Sequence, residues 1–215
     1  MKMFSKKEIT KATDVLAQTL REKNIRQNIY LILIGAASLI IKYDLKRATH
    51  DIDIMDTGIP RNRVGGLGAL LSRLGYHVVS DALVNLHPDY LDRVEPITRK
   101  NNIVVLTLSA YDLAISKISR GLQRDIDDLM SSHVLAGVQI KELERLYTEA
   151  ASYWIGNPET FRSNWDMFTD EYKKRQNQIP GQTDKTRGFK SPWLLPVTFS
   201  TTPFQSRRKI SAFTI

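Results

Sequence analysis

Six consecutive residues, Ile29-Tyr30-Leu31-Ile32-Leu33-Ile34, are apolar or aromatic and show no alternation with polar positions. A strand made of them has no face to offer water, so it must be covered on both sides. Gly35 ends the run, and Ala36 to Tyr43 reads as a short helix packed directly after that turn. A doubly buried strand that passes through a glycine into a helix restricts the chain to a layered α/β architecture. The wider apolar stretch Ile29 to Ile41 is only thirteen residues long and is broken by Gly35 and Ser38. That is too short to cross a bilayer, so it belongs to a core.

The next signal is Asp51-Ile52-Asp53-Ile54, which alternates strictly. Such a segment forms a strand with its two isoleucines on one face and its two aspartates on the other, the carboxylate-bearing positions roughly 7 Å apart. Around these two elements the rest of the chain falls into place. Ser5-Lys6-Lys7-Glu8 has capping-box spacing and opens a first helix that runs to about Lys23, with Ile9, Ala12, Val15, Leu16 and Leu20 at helical intervals. Pro60 suits the first turn of a helix reaching about Leu74. Short strands are expected around Val78 and Val94, and Ile103 to Leu108 is a further strand. Ser109 and Asp112 cap a helix over Ala110 to Ser119, Gly121 interrupts it, and a further helical piece covers Asp125 to Met130. Ile140 to Tyr153 and Pro158 to Arg175 carry two more helices.

Periodicity stops after Arg175. Residues 176–215 are rich in Gln, Pro, Ser, Thr and basic residues, which predicts a poorly ordered extension in which Trp193 to Phe199 could still dock on a surface. The expected organisation is a mixed-sheet α/β domain over 1–135, a helical extension over 136–175 and a basic tail over 176–215. The formal charge of +8 follows the same division. Residues 173–215 hold nine Lys and Arg against the single acid Asp184, which accounts for the whole excess. The body is neutral, so bulk electrostatics gives it no case for binding nucleic acid. With no cysteine, disulfides and Cys-ligated zinc are excluded, and a cytoplasmic setting without a signal peptide or membrane span is the expectation.

Phosphoryl and nucleotidyl transfer need a divalent ion held by carboxylates that project together beside the triphosphate. Asp51 and Asp53 meet the first condition. Gly35 meets the second, because backbone can approach a ligand closely there and the amides of the following helix face an anion. Either feature alone commonly means a solvated strand edge or an ordinary turn. Together, sixteen residues apart and in this order, they are far more specific.

With those residues in view, the chain resembles the nucleotidyltransferase superfamily typified by DNA polymerase beta, and within it the AbiEii-like bacterial toxins. The resemblance rests on Leu31-Ile32-Leu33-Ile34-Gly35-Ala36 and Arg47-Ala48-Thr49-His50-Asp51-Ile52-Asp53-Ile54. It also rests on Asp112-Leu113-Ala114-Ile115-Ser116-Lys117 and Arg124-Asp125-Ile126-Asp127-Asp128, and it covers roughly residues 28–135. It implies an α/β nucleotidyltransferase-like mixed sheet flanked by helices, with a helical C-terminal half. It also implies Mg2+ on Asp51 and Asp53, an NTP whose phosphates lie against Gly35 and Ser38, Lys117 neutralising developing charge, and Asp125 activating the acceptor. The acceptor would be RNA or protein, and the setting a toxin-antitoxin or phage-defence pair with a cognate antitoxin as partner.

Read from the residues alone, Lys117 is either a cation reaching a triphosphate or a lysine snorkelling to the surface of an apolar helix. Asp125 either orients Lys117, acts as a base toward the acceptor, or is a helix N-terminal acid favoured by the dipole, and Asp128 at i+3 can share its face. Ala36 stands where the superfamily places Gly or Ser, so the turn offers no hydroxyl before Ser38. A third carboxylate has only Asp92 and Glu95 as candidates, and His50, His77, His87 and His133 show no metal-ligand spacing. Two other readings follow from these departures: a degenerate nucleotidyltransferase fold that binds without turnover, and an RNA-binding protein acting through its basic tail.

Overall fold

The computed structural model describes residues 3–57, 66–154 and 156–177. In these, five strands form one mixed sheet in the order β3-β2-β1-β5-β4: β1 Ile29–Leu33, β2 Ile52–Met55, β3 Tyr76–Val79, β4 Glu95–Lys100 and β5 Ile103–Thr107. Strand β1 lies at the centre, antiparallel to β2 and parallel to β5; β2 runs parallel to β3, and β4 closes the other edge antiparallel to β5. The apolar run behaves as its composition requires, with Ile29, Leu31, Ile32, Leu33 and Ile34 all buried.

The helices are α1 Lys6–Glu22, α2 Gly35–Lys42, α3 Leu67–Arg73, α4 Ala110–Arg120, α5 Gln123–Ser131, α6 Ile140–Ala151 and α7 Pro158–Asn177. The sequence-derived boundaries shift by no more than two residues at either end in α1, α2, α4, α5, α6 and α7, as helix ends commonly do. At the start of α1 the Glu8 carboxylate accepts the Ser5 backbone N–H at 2.7 Å, the returning half of the capping box. At the start of α4 the Ser109 hydroxyl accepts the Asp112 N–H at 3.1 Å. The helix expected from Pro60 is present as α3, while its expected start, like the tail from residue 178 with Trp193 to Phe199, lies outside the described residues.

The strand expected around Val94 begins one residue later and runs to Lys100. Its sequence, Glu-Pro-Ile-Thr-Arg-Lys, is polar because β4 is an edge strand, where Pro96 and exposed basic residues are tolerated. Helix α4 packs against α5, α6 and α7, so the helical C-terminal half shares one buried cluster with the sheet, from Phe4 through Ile54 and Leu113 to Phe168. That packing buries eight consecutive residues of α4, from Asp112 to Ser119, instead of a single stripe.

Candidate functional site

Strand β1 delivers the chain to Gly35 at the carboxyl end of the sheet's central strand, the end at which open α/β sheets form ligand crevices. Across from it, Leu33 is in register with Ile54, and the Ile34 N–H donates to the Asp53 carbonyl at 3.0 Å. The turn and the carboxylate strand are therefore locked together by main-chain bonding. Gly35 has φ +60°, a conformation that side chains make costly, and a β carbon there would stand 3.3 Å from Asp53 Oδ2. The Asp53 carboxylate thus lies over the N-terminus of α2, whose first-turn amides have no partner within the helix and carry the positive end of its dipole.

The alternation read from the sequence is realised in burial, although β2 begins at Ile52 and leaves Asp51 just before the strand. Ile52 and Ile54 are wholly buried, Asp51 is exposed, and Asp53 is half-buried. The other oxygen, Asp53 Oδ1, is 3.1 Å from His77 Nδ1, because the parallel β2–β3 register sets Asp53 against His77. His77 was not singled out by spacing in the sequence; only the strand pairing brings it to the aspartate. Asp51 and Asp53 suit Mg2+ chemically, since that ion is commonly held by one or two carboxylates with the remaining positions taken by phosphate oxygens and water. Among the described residues no group of three or more His, Asp and Glu is arranged to hold a metal ion by itself.

Ser38 departs from its expected place. It is completely buried and its hydroxyl is hydrogen-bonded to the Thr107 hydroxyl on β5, so it faces the interior between helix and sheet. The turn therefore presents backbone, from Gly35 and Ala36, and no side-chain hydroxyl. The two candidates for a third carboxylate are Glu95 and Asp92. Glu95 sits three strands from β2, roughly 14 Å at the usual strand spacing, and is ion-paired with Lys42. Asp92 is exposed in the short turn Tyr90–Arg93.

Lys117 is neither a surface lysine nor an open cation. It is 2% exposed, with Nζ 2.6 Å from Asp125 Oδ1 and 2.9 Å from Asp128 Oδ2. Arg120 Nε approaches Asp125 Oδ2 at 3.3 Å, within ion-pair range, yet that oxygen accepts no hydrogen bond. Asp128 is also gripped by Arg47, whose Nε and Nη2 donate to its two oxygens at 2.6 and 2.5 Å. Burial pushes the Asp128 carboxyl up, but the hydrogen bonds and charges of Arg47 and Lys117 outweigh it and hold the group below the usual aspartate value. Lys117 of the third sequence motif and Asp125 and Asp128 of the fourth thus form one buried charge cluster across α4 and α5, tied by Arg47 to the segment that leads into β2.

A family model described as "Nucleotidyltransferase of unknown function (DUF6036)" matches residues 8–178. No curated protein and no solved structure gives a match to the chain. Among the described residues no helix is long and apolar enough to cross a membrane.

Proposed function

The chain belongs to this nucleotidyltransferase family, and from that premise we propose that it transfers a nucleoside monophosphate from an NTP onto an RNA or protein acceptor, releasing pyrophosphate. The observation that carries the reading is the Asp53 carboxylate over Gly35 at the N-terminus of α2. Asp51 and Asp53 would hold Mg2+, which when bound polarises the phosphates and offsets charge that builds up as the phosphoanhydride breaks. The amides at the Gly35 turn hold phosphate oxygens without a side-chain hydroxyl. His77 steadies one oxygen of Asp53 and leaves the other toward the turn.

In this proposal Asp125 activates the acceptor while Lys117 fixes its Oδ1; because Oδ2, which accepts no hydrogen bond, is buried, that role requires the cluster to open toward the acceptor. Lys117 then serves the reaction through that carboxylate, since reaching a triphosphate would require it to abandon two buried partners. A bacterial toxin-antitoxin or defence role, with a cognate antitoxin as partner, is proposed from the resemblance alone.

The test is incubation of the full chain with Mg2+, each labelled NTP in turn and a pool of tRNA or lysate acceptors. The reading expects pyrophosphate release with one NTP and label appearing on one acceptor class. A second reading, binding without turnover, is favoured by the buried Ser38 and by Ala36, which together leave the turn without a hydroxyl. NTP binding with no pyrophosphate from any of the four would select it. Binding of RNA through the basic tail predicts instead a steeply salt-dependent affinity that is lost when residues 176–215 are removed.

A further inference from the structure

We propose that Arg47 and Asp128 are positioning residues for the metal-binding aspartates, a clamp through which the buried cluster of α4 and α5 sets the backbone that carries Asp51. This rests on reading Asp51 and Asp53 as the metal ligands. The Arg47 guanidinium uses three separate nitrogens: Nε and Nη2 donate to Asp128 at 2.6 and 2.5 Å, and Nη1 donates to the Ala48 carbonyl at 3.1 Å. One rigid planar group therefore joins a side chain on α5 to the peptide three residues before Asp51. A lysine could not reproduce that, because its ammonium is a point charge without the fork.

The anchor end is buried and multiply bonded. Asp128 is 2% exposed, and the Lys117 ammonium bonds to Oδ2 of Asp128 and to Oδ1 of Asp125 at once. The other end is held from the opposite side, where Phe4 and Thr49 exchange backbone hydrogen bonds at 2.7 and 3.0 Å. The segment 47–49 is thus fixed at one residue by a main-chain bridge and at another by the guanidinium, immediately before the chain enters β2. Asp53 has the sheet and His77 to orient it, whereas Asp51 precedes the strand and is exposed, so its direction depends on the segment before it. Groups that orient a metal ligand from behind commonly matter nearly as much as the ligand itself.

The experiment measures binding of Mn2+ alone to the full chain by electron paramagnetic resonance, for wild type, Asp53→Asn, Arg47→Lys and Asp128→Asn. Wild type is expected to bind Mn2+ in a manner that Asp53→Asn removes. Arg47→Lys, which keeps the charge beside Asp128, should weaken that binding by about 10- to 100-fold while the melting temperature stays near wild type. Asp128→Asn strands two cations and could fail to fold, so Arg47→Lys carries the test. With NTP, excess metal should restore the turnover of Arg47→Lys, which a general loss of structure would not allow. A folded Arg47→Lys protein with Mn2+ affinity within about threefold of wild type, in a background where Asp53→Asn still abolishes binding, overturns the clamp and leaves the metal assignment standing. Wild-type Mn2+ binding that is indifferent to Asp53→Asn overturns both.

Discussion

The carboxylates at the end of β2 and the charges between α4 and α5 are built on opposite principles. Asp51 is exposed and Asp53 half-buried with His77 as its hydrogen-bonding neighbour, whereas Lys117, Asp125 and Asp128 are nearly inaccessible and the lysine bonds to both carboxylates. Charges left near water cost little to the fold and remain open to a ligand. Charges taken out of water persist only while every partner is present. The first region is therefore where substitution should separate activity from stability, and the second is where the two should fall together.

The largest stability loss is expected for Lys117→Ala, which leaves two carboxylates buried without their shared cation. Breaking such a group costs about 3–5 kcal/mol, measurable as a lower urea midpoint. This reverses the expectation for a surface lysine, whose removal would spare the fold. A loss below about 1 kcal/mol would break the comparison by showing that the cluster is solvated.

A smaller loss is expected at the turn. Gly35→Ala places a β carbon at φ +60° and 3.3 Å from Asp53 Oδ2, costing about 1–2 kcal/mol of stability. Transfer should fall as well, because the new methyl group occupies the approach to the α2 amides. Unchanged stability within about 0.5 kcal/mol would show that the turn relaxes without strain and that the close approach of backbone is unimportant.

The gentlest probe of the cluster is acid. Asp128 is held below its ordinary value by Arg47 and Lys117, so its folded pKa lies under its unfolded one, near about 4. The stabilisation it contributes is complete above that unfolded value and is lost as pH falls through the folded pKa. Denaturation profiles should therefore steepen toward acid below about pH 4, and Asp128→Asn, where it folds, should flatten them. An identical acid limb in the two proteins would mean that other carboxylates govern it.

Local chemistry made the first region readable in the sequence. The unalternating run from Ile29, Gly35 after it, and Asp51 and Asp53 alternating with two isoleucines each specify their structure within a few residues. The second region could not be read that way. Arg47 and Asp128 are 81 positions apart, and nothing near either says that the two meet. From the residues alone Lys117 can snorkel to a surface; that α5, α6 and α7 wrap α4 and leave the lysine none is a tertiary fact. Ser38 shows the same limit: a hydroxyl three residues past the glycine looks suited to phosphate, yet in a helix that position turns inward to Thr107. His77 needed the register of two parallel strands before its relation to Asp53 existed.

The most direct test of metal-dependent nucleotidyl transfer at β2 is pyrophosphate release by wild type and Asp53→Asn across a Mg2+ series, with the melting temperature of each. The account predicts a fall on the order of 1000-fold, equivalent to about 4 kcal/mol of transition-state stabilisation, with stability changed by no more than about 0.5 kcal/mol. Near wild-type turnover by Asp53→Asn at saturating Mg2+ would contradict it.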